Sequence, residues 1–339
     1  MAKVLEWHPS TRQSRAGAIL LKVALRLRYT SDGTSDQRHI DGASLSCEKV
    51  HPTKKAVLIT GCDTGFGFSL AKRLANRGFL VFAGCLSPLE NGGKELSSDA
   101  NIHCFKLDVT KSKDIELTLN FVTEHLRKNE LWAVINNAGI AKGSEVDITP
   151  ISKIEEVLDI NLLGTIRITK ALLELIRNSK GRIINVASAA GRLPMPGFVP
   201  YSTSKQAVIA FSDGLRMEMQ KFGVSVITIE PWVYRTRLSD PSDVRQHVQK
   251  QWAEKANNDS YPYKYAEQLG QKTKNLFSSI MNNNTEEVID AMEDAVTSHC
   301  PAFYYRPGKM KLNLALWLLG LLPKPVAHYI LAEFVFKCL

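Results

Sequence analysis

The sequence predicts a doubly wound α/β fold, a Rossmann-type parallel sheet with a helical C-terminal extension. Three observations lead there. Along residues 51–240, short apolar runs alternate with stretches of helical periodicity, the pattern of repeated βαβ units. The first run ends in a glycine-rich turn that opens a helix, Thr60-Gly61-Cys62-Asp63-Thr64-Gly65-Phe66-Gly67. The composition, 44% hydrophobic and 23% charged over 339 residues, suits one large globular domain with appendages and excludes a disordered chain.

Taken in order, residues 1–50 are polar and lack a strand or core pattern. Within them, Arg12, Arg15, Lys22 and Arg26 share one helical face, with Ile19, Leu20, Val23 and Leu27 largely on another. A basic, acid-poor amphipathic segment of this kind has the composition of a mitochondrial transit peptide and equally that of a frayed surface helix; it is too short and too charged to span a bilayer. Strands are predicted at 56–60, 80–84, 102–107, 132–136, 182–186 and 224–229, with a helix over 68–76. Residues 241–300 are polar and helical in composition and are expected to form a substrate-covering insertion in a domain spanning 51–310. Residues 311–339 form an apolar tail, broken by Pro323 and Pro325, that reads as a lid, a membrane-surface contact or a dimer contact.

The formal charge of +9 is concentrated: six cations and one anion fall within the first 30 residues. This favours an address or anchor over a nucleic-acid groove, and no basic stretch interleaved with aromatics is present, so no nucleic-acid partner is expected. The six cysteines show no CxxC pair or His/Cys ligand spacing, so no metal is expected and reduced thiols are the simplest reading.

The chemistry is concentrated in a few motifs. In the glycine-rich turn, Gly61 permits a tight bend, while Gly65 and Gly67 allow backbone to approach a pyrophosphate at a helix N-terminus. Tyr201 and Lys205 are four residues apart and share a helical face, so the ammonium can lower the phenol's pKa. Ser188 precedes Tyr201 by 13 residues and Asn161 precedes it by 40. Asn136-Asn137-Ala138-Gly139 closes the fourth predicted strand.

Together and in this order, these five features resemble the short-chain dehydrogenase/reductase family over about residues 54 to 310. The resemblance implies an oxidoreductase in which Tyr201 is the acid/base, Ser188 steadies the substrate oxygen, Lys205 tunes Tyr201 and Asn161 serves a proton relay. It implies dinucleotide contacts from Thr60, Gly61, Asp63, Gly65, Phe66, Gly67, Asp108, Asn137, Ala138, Gly139, Tyr201, Lys205, Pro231 and Thr236. It also implies a homo-oligomer. The second predicted strand ends in Gly84-Cys85-Leu86, with neither the acid that favours NAD nor the cation that favours NADP. Asp63 in the glycine-rich loop would repel a 2′-phosphate, so NAD is the expected cofactor. One departure stands out: Trp232 occupies the position after Pro231 where the family usually has Gly, which bears on the nicotinamide end of the site.

The words around these motifs resemble the branch that contains mitochondrial D-3-hydroxybutyrate dehydrogenase and membrane-associated retinol and hydroxysteroid dehydrogenases. 3-Hydroxybutyrate is the expected substrate, with mitochondrial location and phospholipid contact. A steroid or retinoid, with an endoplasmic-reticulum location, is the alternative. Ser188, Arg192, Leu193 and Phe198 are the candidate substrate residues: a hydroxy acid needs Arg192 for its carboxylate, whereas a lipophilic alcohol is satisfied by Leu193, Met195, Phe198 and Val199. A non-catalytic dinucleotide-fold binding protein is the reading from another class, motivated by Trp232.

Overall fold

A computed structural model describes residues 48–142, 145–147, 149–194, 196–236, 275, 278 and 281–338. The basic N-terminal segment and most of the 241–300 stretch lie outside the described residues. Seven parallel strands form one sheet: β1 (Lys55–Thr60), β2 (Leu80–Cys85), β3 (Ile102–Lys106), β4 (Glu130–Asn136), β5 (Arg182–Val186), β6 (Ser225–Ile229) and β7 (Tyr304–Tyr305). Their spatial order is β3-β2-β1-β4-β5-β6-β7. The order reverses beside β1, so the crevice at the C-terminal ends of β1 and β4 is where such a sheet receives a ligand.

The strands are apolar runs rather than alternating ones because both faces of the sheet are covered. On one face α1 (Gly65–Asn76) lies with a later helix, Glu286–Thr297. On the other lie α3 (Ser112–Leu126), α5 (Thr165–Ser179) and α6 (Val199–Met219). Between them in the chain come the short α2 (Asn91–Leu96), α4 (Ile151–Leu158) and a π-helical turn, Asp159–Gly164. Leu70, Leu74, Val57 and Ile59 anchor the first core layer; Leu58, Phe82, Ile168 and Leu172 anchor the second.

The helix Glu286–Thr297, here α7, lies within the stretch expected to cover the substrate. It packs Val288, Ile289, Met292 and Val296 into the same core as α1, away from the crevice. Arg73 and Arg77 of α1 pair with Glu286, Asp290 and Glu293 of α7, fastening the two helices across their exposed edge. After β7 the chain forms α8 (Met310–Leu321) and α9 (Lys324–Cys338). No helix among the described residues is long and apolar enough to cross a membrane.

Candidate active site

The crevice opens into a cleft of about 1430 Å³. Its dinucleotide end is built on the β1–α1 turn. Gly61 holds a left-handed backbone, φ 71°, and a Cβ there would lie 2.9 Å from Ala138 Cα. A Cβ on Gly67 would lie 2.4 Å from the Gly61 carbonyl, so this glycine serves close packing of helix on turn and does not itself face the cleft. Thr60 is also behind the lining: its hydroxyl accepts the N–H groups of Asn137 (3.0 Å) and Ala138 (2.9 Å). The Asn137 amide donates in turn to the carbonyls of Thr60 and Gly61. β1 and β4 thereby hold each other's C-terminal loops in register.

The N-terminus of α1 fits an anionic group. Its N-cap Thr64 makes no side-chain cap, and no acid sits in the first turn, so the free N–H groups and the dipole face the cleft. Gly65 and Phe66 line the cleft there. Asp63 accepts hydrogen bonds from the backbone N–H groups of Leu86 (3.0 Å) and Ser87 (2.9 Å), just beyond β2. Its carboxylate is thus fixed at the strand end where an acid from β2 would otherwise stand. Asp108 lines the cleft after β3 and accepts from the Thr110 N–H and hydroxyl (2.9 and 2.7 Å). Burial opposes its ionisation, but these bonds, with Lys111 and Lys106, hold its carboxyl below the usual range. A turn that a Cβ would fill, an uncapped helix end and carboxylates at the strand ends together fit a dinucleotide.

The other end of the cleft, the candidate reacting end, gathers Ser188, Tyr201 and Lys205. Ser188 follows β5 and caps the short turn after it, accepting from Ala190 N–H at 3.2 Å; its hydroxyl donates to the Pro231 carbonyl at 3.3 Å. Tyr201 is in the first turn of α6. Burial pushes its phenol up to about 12, against a hydrogen bond from Ser188 that pulls it down. Lys205 lies one turn on, with Nζ 5.7 Å from the Tyr201 ring centre. It is only 4% exposed, and burial pushes its pKa down to about 8. Among the described residues its one hydrogen bond goes to the Val186 carbonyl, 2.8 Å away, with no carboxylate to offset the burial. Burial therefore outweighs the pull of Ser188 on the phenol.

Asn161 sits in the π-helical turn and is buried. Its amide accepts from Ile140 N–H and donates to the Ile140 carbonyl and to the Ser204 hydroxyl, all within 2.9 Å. It thus ties the loop after β4 to α6 beside Lys205. Gly139, Pro231 and Thr236 also line the cleft.

Among the candidate substrate residues, Leu193 and Phe198 line the cleft with Ser188, while Met195 lies outside the described residues. Arg192 is not brought to the cleft. Its guanidinium is engaged by Glu230, with Nε 3.2 Å from both carboxylate oxygens and an Nη donating at 2.8 Å. Arg306 binds the same carboxylate at 2.9 Å, and Glu230 is fully buried. A guanidinium committed in this way does not serve a substrate carboxylate. Glu230 escaped the sequence reading. The only signal for it was an acid at the end of the apolar run Val226-Ile227-Thr228-Ile229, which needs a cation if that run is buried.

The family model described as short chain dehydrogenase matches residues 55–246. The chain belongs to this family. It is a dehydrogenase acting on CH–OH groups, on a fold that binds a nicotinamide dinucleotide. It is 39% identical over 263 residues to the mitochondrial D-beta-hydroxybutyrate dehydrogenase of Rattus norvegicus, covering 75% of this chain and 76% of that one. It is 37% identical over 293 residues to the 17-beta-hydroxysteroid dehydrogenase type 6 of Bos taurus, covering 84% and 89%. Among solved structures, a Burkholderia phymatum short-chain dehydrogenase in complex with NAD superposes with TM-score 0.65 at 18% identity, over 80% of this chain and 94% of that one. A Burkholderia cenocepacia short-chain dehydrogenase in complex with NADP gives 0.61 at 22%, over 81% and 96%.

Proposed function

We propose that this dehydrogenase interconverts a lipophilic secondary alcohol and its ketone with NAD. The observation that carries the reading is the charge of the cleft: among its described lining residues Lys205 is the only cation, and Arg192 is spent on Glu230. A hydroxy-acid substrate needs a cation or several donors for its carboxylate. Leu193, Phe198, Ile140 and Leu163 instead offer an apolar wall. A steroid- or retinoid-like alcohol meets that wall without an unpaired charge. D-3-Hydroxybutyrate is the second reading, favoured by the rat relative. The bovine hydroxysteroid relative is almost as similar, so likeness alone does not separate the two.

In this reading the nicotinamide ring, when bound, accepts or returns the hydride. Tyr201 takes the alcohol proton in oxidation and gives it back in reduction. Ser188 turns its hydroxyl from the Pro231 carbonyl to the substrate oxygen and steadies the charge that develops there. Lys205, still largely protonated at neutral pH, keeps a positive charge beside the phenol. Asn161 fixes Ile140 and Ser204 and supports a proton relay from Lys205 to solvent. Asp63 favours NAD because its carboxylate opposes a 2′-phosphate.

The apolar side chains exposed on α8 and α9, among them Leu314, Trp317, Leu318, Leu321 and Ile330, support contact with a phospholipid surface, mitochondrial or of the endoplasmic reticulum. The test is NAD reduction by the purified protein, with and without phosphatidylcholine vesicles, on hydroxysteroids, retinol and (R)-3-hydroxybutyrate. Turnover of the lipophilic alcohols supports the proposal. Turnover of the hydroxy acid alone overturns it in favour of the second reading.

A further inference from the structure

Trp232 stands where two parts of the molecule meet. Its backbone follows Pro231, whose carbonyl accepts both the Ser188 hydroxyl and the Ala189 N–H (3.3 and 2.9 Å). The residue therefore continues the floor of the reacting end, and it lines the cleft. Its side chain belongs to the C-terminal segment. The indole Nε1–H donates to the Asn313 side-chain carbonyl of α8 at 2.7 Å, and the Asn313 amide donates to the Arg306 carbonyl at 2.9 Å. Gly308 makes the seat: a Cβ there would lie 2.4 Å from the indole Cδ1.

Besides the half-buried Leu312, Leu316 and Leu319, α8 is held by few contacts. None of its residues is buried, and among the described residues Asn313 is the α8 side chain that is hydrogen-bonded to the body. Arg306 and Glu230 continue the tie, since Arg306 binds Glu230, the residue before Pro231. Two segments are thus closed into one loop of contacts: residues 230–232, bonded to the Ser188 turn, and residues 306–313, which start the C-terminal helices.

We propose that Trp232 and Asn313 form a latch that positions the reacting end of the cleft by holding α8 against it. These are positioning residues: Trp232 acts through the backbone it shares with Pro231, and Asn313 acts through Trp232. The proposal rests on the dehydrogenase reading for its kinetic arm only. Releasing the latch shifts the floor beneath Ser188 and the substrate while leaving the pyrophosphate end of the cleft, built on the β1–α1 turn, in place.

The experiment compares full-length wild type, Asn313→Leu, Asn313→Asp, Trp232→Phe and the Asn313→Leu/Trp232→Phe double variant. It measures KM and kcat for the preferred alcohol, NADH dissociation constant and backbone hydrogen exchange across residues 310–321. Asn313→Leu removes both side-chain bonds at similar volume. It is expected to raise KM about fivefold, the scale of one lost hydrogen bond, with a smaller change in NADH binding, which is anchored mainly at the β1–α1 turn, and with faster α8 exchange. Trp232→Phe keeps a ring beside Gly308 without its N–H and is expected to do the same. Asn313→Asp retains the acceptor for the indole but sets a carboxylate oxygen against the Arg306 carbonyl, so its effect is expected to fall between wild type and Asn313→Leu. The double variant is expected to be no worse than the worse single one, because both break the same contact. Wild-type KM and wild-type α8 exchange in Asn313→Leu would overturn the latch, as would single effects that multiply in the double variant or an equal change in NADH binding. If the wild type turns over no alcohol, the dehydrogenase reading fails, and the exchange arm still decides the latch by the same criteria.

Discussion

Lys205 is held at a cost to the fold, and Lys205→Met measures that cost. The ammonium is buried beside Tyr201 with one carbonyl for a partner, and burial lowers its pKa from the model-compound 10.5 to about 8. At about 1.36 kcal/mol per unit, this corresponds to roughly 3 kcal/mol of destabilisation at neutral pH. The folded chain binds the proton less tightly than the unfolded chain. Below pH 8 both states are protonated and the full cost is present. Between pH 8 and 10.5 the unfolded chain carries more protons, so stability rises with pH and the cost fades. Methionine fills a similar volume without charge but gives up the bond to Val186, worth about 1 kcal/mol. In dinucleotide-free protein, Lys205→Met should therefore be more stable than wild type by about 2 kcal/mol at pH 7. The advantage should shrink by pH 9.5 and reverse sign by pH 10.5. Urea unfolding of both proteins at several pH values between 7 and 10 reads it; above that range Tyr201, whose folded form keeps its proton up to about 12, lowers stability as the unfolded phenol ionises. A stability difference that does not change with pH would refute the argument. So would a variant less stable than wild type at pH 7. Turnover should be lost in the variant, making the buried charge a case of stability yielded to function.

Three further outcomes follow from the same geometry. Tyr201→Phe should lower kcat by about 10²–10⁴-fold with NADH binding intact, measured by steady-state rates and nucleotide fluorescence; retained turnover would remove Tyr201 from the acid/base role. Asp63→Asn keeps an acceptor for one of the Leu86 and Ser87 N–H groups, gives up the other bond and removes the charge. It should move the ratio of kcat/KM for NADP over NAD upward by about tenfold. An unchanged ratio would mean that selectivity resides elsewhere. Gly67→Ala forces a methyl group onto the Gly61 carbonyl and should destabilise the protein by about 1–3 kcal/mol while weakening NADH binding, read by thermal melts and titration.

The sheet was legible in the sequence because its strands are continuous apolar runs, and buried parallel strands have no other pattern. The six predicted strands agree with β1 to β6 to within two residues at each end. β7 was not legible: two residues, Tyr304 and Tyr305, gain strand character only by pairing with Thr228 and Ile229. The π-helical turn under Asn161 escaped for a related reason, since a single widened turn leaves the helical periodicity almost intact. Helix was expected where α7 lies, but its core-facing side was hidden by its acids. Val288, Ile289, Met292 and Val296 carry the spacing of a buried face, but the charged residues between them gave the stretch a polar composition. At the site, Ser188, Tyr201 and Lys205 were legible because their relation is local and fixed by one strand end and one helix. The pairing of Arg192 was not legible because its partner Glu230 is 38 residues away, brought in by neighbouring strands, and no spacing encodes that meeting.

The clamp on Glu230 has a bearing on how the protein is made. One of its two guanidiniums comes from Arg192, in the middle of the sequence, and the other from Arg306, beside β7. During synthesis, a nascent chain that has not yet produced Tyr304–Arg306 has the sheet through β6 but lacks its seventh strand. Its Glu230 carboxylate has half its partners. The carboxylate is still paired with Arg192, but it lacks the charged hydrogen bond from Arg306, worth about 1.5–3 kcal/mol, beside the point where Ser188 and Pro231 meet. The Ser188 and Pro231 loops are therefore expected to reach full stability only once the strand that contributes two residues to the sheet has been added. A premature stop before residue 304 leaves a nearly complete sheet with an unfinished site.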